Sequence, residues 1–167
     1  NGRQIRGSHF NAGEAGHTRV GVNLGIKCVC GRYDCVENIS SGSGIDHCAR
    51  ILCKDHPTSL HIPAEDEGRV NVQDVFRLCQ EGDPLCKVLT DNAAQGIANL
   101  IMNLVRVTDP DTVVLGGGIV ADEYMFESIL KRLHPATMRF VSNGVVLTKL
   151  NPEFIGLLGA CAVAMNM

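Results

Sequence analysis

Three cysteines lie close together in the first third of the sequence, at Cys28, Cys30 and Cys35. Gly31 follows the second of them, and a glycine lets the backbone curl so that the three sulfur atoms can face one centre. Thiolates at this spacing are typical of zinc sites, which four ligands complete as a tetrahedron. The alternative is three unrelated thiols in an ordinary loop. We favour zinc, because short cysteine clusters in chains that need no disulfides are typical of metal sites.

The fourth ligand must come from elsewhere in the chain. His17 is the nearest upstream candidate, since it precedes Cys28 by eleven residues and stands next to Gly16. His9 is a rival candidate, and His47 is a weaker one. Three thiolates and one neutral imidazole leave no open position for water, so the predicted zinc site is structural. Such a site orients the segments that flank it, so residues beside the ligands become candidates for ligand contact.

The other five cysteines do not form a metal site, but they indicate the redox state of the compartment. They fall singly in segments with helical spacing, where a thiol most often packs as a small buried hydrophobe. They are Cys48, Cys53, Cys79, Cys86 and Cys161. A chain with Ile-, Leu- and Val-rich periodic segments does not need disulfides to fold, so we expect a reducing cytoplasm.

Loops must position the cysteine cluster, and an α/β region must support the loops. Residues 1–44 are glycine-rich and irregular, so we expect them to surround a compact site. Beyond them helical and strand patterns alternate, which favours the α/β class. The expected helices are 45–53 with Ser43 as N-cap, a short helix from 72 to Gly82, 85–107, 123–133 and 153–165. The expected strands are 112–118, buried on both faces, and material within 139–150, while 54–68 is expected to be a polar surface linker.

Composition excludes several classes of partner. The 167 residues contain 15 Lys and Arg against 18 Asp and Glu, a net charge of -3, which supplies no basic field for nucleic-acid phosphates. At 45% hydrophobic residues the chain has enough apolar surface for a folded core. No apolar run approaches the roughly 20 residues of a membrane helix, and no leader pattern opens the chain, so neither membrane association nor processing is expected.

Several glycine-rich motifs occur in a fixed order along the chain. They are Gly13-Glu14-Ala15-Gly16-His17, Cys28-x-Cys30-Gly31-x-x-x-Cys35-x-Glu37, Ser41-Gly42-x-Gly44-Ile45, Asp109-Pro110-Asp111 to Leu115-Gly116-Gly117-Gly118, and Gly156-Leu157-Leu158-Gly159-Ala160. Together they resemble the ROK family of bacterial sugar kinases and sugar-responsive repressors over nearly the whole chain. The sequence departs from the family at Asn38 and Ser40-Ser41, where relatives often have small apolar residues, and in the polar insertion 54–68.

The resemblance implies a fold and a set of sugar contacts. Residues 1–167 would be the C-terminal lobe of a two-lobed actin/hexokinase-like (ribonuclease H-like) protein, with a zinc and sugar loop region at 1–44 and an α/β region at 45–167. The N-terminal lobe would be missing and the sheet incomplete without upstream strands. Glu14 and His17 would contact sugar hydroxyls, His17 would also hold zinc through its other ring nitrogen, and Glu37 would contact the sugar from behind Cys35. Residue type alone favours solvated or capping carboxylates at both glutamates.

Gly116, Gly117 and Gly118 are the expected nucleotide contact. They follow a strand, and open α/β sheets bind ligands at the carboxyl ends of their strands. The resemblance implies a contact with the adenosine side of ATP. By themselves, three glycines are equally consistent with a tight turn.

The sequence contains no catalytic residue that we can assign. In relatives the Asp-x-Gly-x-Thr phosphate loop, the catalytic Asp and the Gly-Thr-Gly-x-Gly segment precede the position of Asn1, and no equivalent occurs here. Asp109 and Asp111 flank a proline and are expected to be helix-end and turn residues. The chain starts at Asn1 without a methionine, and its first residues are typical of the middle of a longer sequence, so we expect a segment of a longer parent that binds ATP and Mg²⁺.

Three functions remain open at this point. The first is part of an ATP-dependent kinase for a hexose or an N-acetylated amino sugar, inactive as this segment alone, which the stretch from Ser41 to Ile45 mildly favours. The second is a ROK-type repressor that senses the sugar and binds DNA through an N-terminal helix-turn-helix. The third is a non-catalytic scaffold stabilised by zinc. A surface left open by missing strands further predicts a homo-oligomer.

Overall fold

The structure, a computed structural model, describes residues 4–151 and 153–165. In that part of the chain the structure contains helices and a small two-stranded parallel sheet, which confirms the α/β class. A 3₁₀ turn covers Ala15–His17. The helices are α1 (Val36–Ser40), α2 (Gly42–Leu52), α3 (Val72–Glu81), α4 (Pro84–Thr108), α5 (Glu123–Leu130), α6 (Pro135–Met138) and α7 (Ile155–Met165), and the strands are β1 (Val113–Leu115) and β2 (Val145–Leu147).

Helix α4 is the central element, and its bounds agree with the predicted helix at 85–107. Asp83 caps it by accepting a hydrogen bond from the Cys86 N–H, and Asp109 ends it in the left-handed conformation. A stripe of buried side chains runs along its length. The stripe consists of Leu85, Leu89, Ala93, Ala94, Ala98, Ile101 and Val105. Helices α1, α2, α3, α5 and α6 all pack against α4, so the core surrounds this helix.

Several helix boundaries differ from the prediction. Helix α2 begins at Gly42 because Ser41, and not Ser43, is its N-cap; the Ser41 Oγ accepts a hydrogen bond from the Gly44 N–H. Helix α5 ends at Leu130 rather than at residue 133, because its last turn tightens into 3₁₀-type bonds. Helices α1 and α6 were not predicted, since five and four residues are too few for a periodic pattern to be recognised.

The sheet is smaller and more exposed than the sequence suggested. Strands β1 and β2 pair in parallel, with Val114 opposite Val146. Val114 is 60% exposed, so the prediction that residues 112–118 are buried on both faces is wrong. One face of β1 packs on the core through Val113 and Leu115, and the other faces solvent. Within 139–150 only Val145–Leu147 is a strand.

Helix α7 is apolar and yet exposed. None of its residues is buried, and Leu157 is 64% exposed. The helix begins next to the end of β1, where the Ile155 Cδ1 lies 2.9 Å from the position that a Cβ on Gly116 would occupy. Leu158 and Met165 are exposed as well, and exposed apolar surface of this kind is typical of interaction sites. Within the described residues, no helix combines the length and the apolar character that crossing a membrane requires.

Close packing of α1 on α2 and α4 supports the loop region. A Cβ on Gly44 would lie 2.4 Å from the Glu37 carbonyl oxygen, and a Cβ on Gly96 would lie 2.9 Å from the Ser40 Oγ. The Ser40 Oγ also donates a hydrogen bond of 3.1 Å to the Ala93 carbonyl of α4. Glycine at these two positions therefore allows α1, which carries Glu37, to lie directly on the core.

We expect the substitution Gly44→Ala to destabilise the fold by about 1–3 kcal/mol, because the added methyl group would overlap backbone atoms of α1. Gly42→Ala is the matched control, since its Cβ would meet only the Ile119 Cδ1, at 4.0 Å. The measurement is urea-induced unfolding followed by circular dichroism. Equal unfolding free energies for the two variants would contradict the close approach of α1 and α2.

Candidate functional site

The cysteine loop is a short hairpin tied at several points. The Asp34 N–H donates to the Ile26 carbonyl at 2.8 Å, and the Cys28 N–H donates to the Arg32 carbonyl at 2.8 Å. At the tip the Gly31 N–H bonds back to the Cys28 carbonyl, and Gly31 adopts φ +86°. This positive φ is the conformation that glycine takes without strain. The hairpin thereby brings Cys28 and Cys30 close to Cys35, which follows it in the chain.

The structure brings His17, Cys28, Cys30 and Cys35 together. One ligand atom from each lies within 4.8 Å of all the others. The His17 Nδ1 is 3.5 Å from the Cys28 Sγ, and the Cys30 Sγ is 3.6 Å from the Cys35 Sγ. In the described part of the chain this is the sole cluster of such residues, and His9, the rival fourth ligand, lies outside it.

These four side chains fit a zinc ion by chemistry and by spacing. Soft sulfur and imidazole nitrogen are the ligands that zinc prefers in structural sites. Two sulfur atoms bound tetrahedrally at about 2.3 Å from zinc lie about 3.8 Å apart, close to the 3.6 Å between Cys30 and Cys35. Cys28 and Cys35 are buried and Cys30 is exposed, so the cluster lies at the surface with one open side.

The protonation of the cluster also favours a cation. Burial, together with the adjacent thiols, raises the pKa of Cys35 to about 12. A hydrogen bond from the Arg32 backbone N–H lowers the pKa of Cys30. Three neighbouring thiolates repel one another in a partly buried site, and a divalent cation reverses that preference by stabilising the deprotonated sulfurs.

The expected sugar contacts lie on segments next to the cluster. The His17 Nε2 is 3.8 Å from the Glu14 Oε2, so the imidazole directs one nitrogen at the thiols and the other at a carboxylate that is 61% exposed. Glu37 lies in the first turn of α1, and its Oε2 is 3.4 Å from the position that a Cβ on Gly16 would occupy. The absence of a side chain at Gly16 therefore leaves room for the Glu37 carboxylate beside the turn that carries His17.

A cavity of about 290 Å³ lies beside Glu37. Its lining mixes polar and apolar surface, and the polar side chains are those of Lys27, Glu37, Asn38, Ser43 and His47. His47, the weaker candidate for the fourth metal ligand, thus lies in this cavity and outside the cysteine cluster. The cavity places a carboxylate, an ammonium group, a hydroxyl and an imidazole around one space, which suits a small ligand with several hydroxyl groups.

The glycines after β1 have separate structural roles. Gly117 adopts φ +110° at the turn, and a Cβ on Gly116 would lie 3.1 Å from the Thr148 Cγ2. Nothing lies within 4 Å of the corresponding position on Gly118. Gly116 and Gly117 line a cavity of about 170 Å³ at the end of β1. The tight-turn role therefore accounts for Gly117, and the cavity leaves the backbone of this turn accessible to a ligand.

Cysteines outside the cluster behave mostly as expected. Burial raises the pKa of Cys48 and of Cys86 to about 12, so both stay protonated among apolar neighbours. Cys79 is also buried, and Cys53 is half-buried. Cys161 is exposed, and the expectation of a buried thiol there is wrong because α7 as a whole is uncovered. All eight cysteines are free.

Several supporting residues were missed in the sequence or regarded only as departures from the family. The Asn38 side chain donates to the Lys27 carbonyl at 3.0 Å, Ser40 bonds to α4, and Ser41 caps α2. The Asn99 side chain of α4 donates to the Val20 carbonyl at 2.7 Å and so holds the chain just after His17. The apolar spacing of Val36 and Ile39 was the one available signal for α1, since both are buried.

Comparisons with known proteins identify relatives of this chain. The ROK family model matches residues 1–167. A glucokinase from Halalkalibacterium halodurans is 31% identical over 120 residues, which are 71% of this chain and 36% of that protein. An N-acetyl-D-glucosamine kinase from Escherichia coli O6:H1 is 30% identical over 128 residues, or 71% of this chain and 38% of that protein.

A regulator and a solved structure complete the comparison. The DNA-binding transcriptional dual regulator NagC from Escherichia coli K12 is 23% identical over 164 residues, 98% of this chain and 39% of the regulator. The crystal structure of a ROK hexokinase from Thermus thermophilus superposes with a TM-score of 0.65 at 27% identity, covering 90% of this chain and 47% of the hexokinase. The chain thus spans well under two thirds of these relatives. Because the ROK family model matches over residues 1–167 and the fold resembles part of a ROK hexokinase, the chain belongs to the ROK family.

Proposed function

We propose that this chain is part of an ATP-dependent sugar kinase that phosphorylates a hexose or an N-acetylated amino sugar. The observation that carries the proposal is the position of His17, whose Nδ1 faces the cysteine cluster while its Nε2 faces Glu14. His17 therefore connects the proposed zinc centre to Glu14, a carboxylate that would bind the sugar. Similarity to a glucokinase and to an N-acetyl-D-glucosamine kinase supports a sugar as that ligand.

The metal in this proposal is a structural zinc ion held by His17, Cys28, Cys30 and Cys35. When bound, zinc neutralises the thiolates and holds the 3₁₀ turn against the cysteine hairpin. The turn carries Glu14 and the residue after Cys35 begins α1, so the two segments that bear the carboxylates would keep a constant separation. The ion takes no part in phosphoryl transfer, because its four ligands leave no open position.

The carboxylates of Glu14 and Glu37 would select the sugar. One carboxylate accepts hydrogen bonds from two neighbouring hydroxyl groups, and a sugar that lacks one of them leaves a charged group unpaired. The second nitrogen of His17 would add a contact to a hydroxyl group. Glu37 lines the cavity of about 290 Å³, where Lys27, Asn38, Ser43 and His47 would supply further polar contacts, whereas Glu14 and His17 are not in its lining.

The nucleotide would contact Gly116, Gly117 and Gly118. The cavity of about 170 Å³ next to this turn is smaller than the roughly 300–1,000 Å³ of complete ligand pockets. A second lobe would supply the remaining wall, the phosphate loop, the Mg²⁺ site and the catalytic carboxylate. In this proposal residues 1–167 are the C-terminal lobe of an actin/hexokinase-like protein, and the 167-residue chain alone does not catalyse the reaction.

A sugar-responsive repressor is the second candidate function. The similarity to NagC over 164 residues favours it, since a regulator would use the same sugar contacts as a sensor. A DNA-binding helix-turn-helix would then precede this segment in the parent. Eight free thiols support a reducing compartment such as the cytoplasm for either parent. Sugar-dependent turnover of ATP by the parent distinguishes the kinase from the repressor, which would instead release DNA on binding sugar.

We expect the chain to bind one zinc ion and to lose it when a ligand is replaced. Cys35→Ser removes a buried sulfur from the cluster and should abolish stoichiometric zinc, measured by elemental analysis after gel filtration. Cys161→Ser, an exposed cysteine outside the cluster, is the control and should retain the metal. Zinc present at 1,000 times its Kd stabilises a fold by about 4 kcal/mol, so chelation should lower the Tm. Metal-free protein with an unchanged Tm would favour a cluster of unrelated thiols.

In the parent protein we expect Glu14→Gln and Glu37→Gln each to raise the KM for the sugar about tenfold to hundredfold, because a hydrogen bond to a charged group contributes about 1.5–3 kcal/mol. Glu127→Gln is the control, since that carboxylate lies in an exposed pair with Lys131. The measurement is a coupled assay of ADP release with glucose and with N-acetylglucosamine. Sugar-dependent ATP turnover by the 167-residue chain alone would refute the proposal. Absence of heat in a millimolar sugar titration of the parent would favour the scaffold.

The exposed apolar helix predicts that the isolated chain self-associates, as a homo-oligomer formed through surfaces that the second lobe would cover. Leu157→Lys places a charge on the 64% exposed position of α7 and should shift the chain toward monomer. Val107→Lys, on the 81% exposed end of α4, is the control and should leave the association unchanged. The measurement is the concentration dependence of mass in light scattering. A monomer at all concentrations would contradict this prediction.

A further inference from the structure

Asp34 is an unusual residue at the base of the cysteine hairpin. It is charged and yet only 3% exposed, and it adopts φ +56°, in the left-handed region. A buried carboxylate is costly unless it is hydrogen-bonded, and a non-glycine residue with positive φ adds further strain. Both costs fall on the residue directly before Cys35. Specific contacts must therefore offset them at this position.

The contacts of Asp34 join two segments of the chain. The Oδ1 accepts hydrogen bonds from the Ile26 N–H at 2.8 Å and from the Leu24 N–H at 3.1 Å. The Asp34 N–H donates to the Ile26 carbonyl at 2.8 Å. The Oδ2 lies 3.8 Å from the Arg19 guanidinium group. Asp34 thus binds residues 24–26 through both its backbone N–H and its Oδ1. Its Oδ2 faces the segment that contains Arg19.

Each of these segments carries a member of the metal cluster. Ile26 stands two residues before Cys28, and Arg19 stands two residues after His17. Arg19 also forms an antiparallel bridge with Cys35, and Lys27 forms one with Tyr33. The three ligand-bearing segments therefore meet around the Asp34 carboxylate. Its partners are the Leu24 and Ile26 N–H groups and the Arg19 guanidinium group, and none of these belongs to a ligand side chain.

We propose that Asp34 is a positioning residue that pre-assembles the cluster of His17, Cys28, Cys30 and Cys35 for its metal. The left-handed backbone turns Cys35 toward the hairpin, and the carboxylate sets the distance between that turn and the segment 24–26 that leads to Cys28. Groups outside the ligand shell that orient the ligands in this way strongly influence metal affinity. The inference rests on the proposed metal centre and adds the residue that determines its geometry.

The test compares Asp34→Gly with Asp34→Asn in the full 167-residue chain. Asp34→Gly relieves the backbone strain and removes both side-chain hydrogen bonds, and we expect zinc affinity to fall about tenfold to hundredfold. Asp34→Asn keeps an oxygen that can accept from Leu24 and Ile26 and tolerates positive φ, so it should restore affinity to within about threefold of the parent sequence. Affinity is measured by competition with a chromogenic chelator. The absorption bands of the Co²⁺-substituted chain report the ligand geometry, and Asp34→Gly should alter them while Asp34→Asn should not.

Asp83→Ala is the matched control for general loss of stability. The Asp83 carboxylate accepts hydrogen bonds from the Ser59 and Cys86 N–H groups, and it lies outside the metal cluster. This variant should lower the free energy of unfolding and leave the zinc affinity and the cobalt spectrum unchanged. An unchanged spectrum and affinity in Asp34→Gly, or equal losses in Asp83→Ala, would overturn the positioning role alone. Failure of the parent sequence to bind either metal would overturn the proposed metal centre and this inference with it.

Discussion

The assembly of three sulfur atoms and one imidazole in a loop region is the interaction on which the site depends. The segment from residue 18 to residue 35 contains isolated bridges rather than a sheet, so few backbone hydrogen bonds maintain its shape. Burial raises the pKa of Cys35 to about 12, which keeps that thiol protonated in the absence of a cation. A divalent ion would displace the thiol protons and bind the three sulfur atoms and the imidazole nitrogen. Metal binding would thereby be coupled to the local fold. Glu14 lies beside His17 of this cluster, and Glu37 lies in the first turn of α1, directly after Cys35 and Val36.

Helix α4 makes this loop region part of the core. Asn99 holds the Val20 carbonyl, the Ala93 carbonyl accepts from Ser40, and Gly96 leaves space for that contact. All three positions lie on one helix whose buried stripe organises the remaining helices. Precise geometry in a ligand site requires support from rigid elements. The loop region obtains that support from α4, because its own segments contain little regular structure.

The C-terminal part of the fold has the opposite character. Strands β1 and β2 leave Val114 60% exposed, and α7 has no buried residue although its sequence is apolar throughout. The relatives are two to three times as long as the part of them that this chain covers. In the proposed function, an additional lobe would cover this surface and complete the nucleotide contact near Gly117. The exposed helix and the small cavity after β1 both lie in this part of the fold.

Local chemistry in the sequence determined the cysteine cluster and the long helices. The spacing of Cys28, Cys30 and Cys35 indicated a shared centre, and the apolar period of α4 indicated a buried helix, because both patterns arise within a short stretch of chain. Tertiary structure alone decided that Asp34 is buried in a left-handed turn and that Ser41 caps α2. It also decided that β1 and Cys161 are exposed, against expectation. Burial and loop conformation depend on which distant segments pack together, and a residue's type and its neighbours in sequence do not specify those partners.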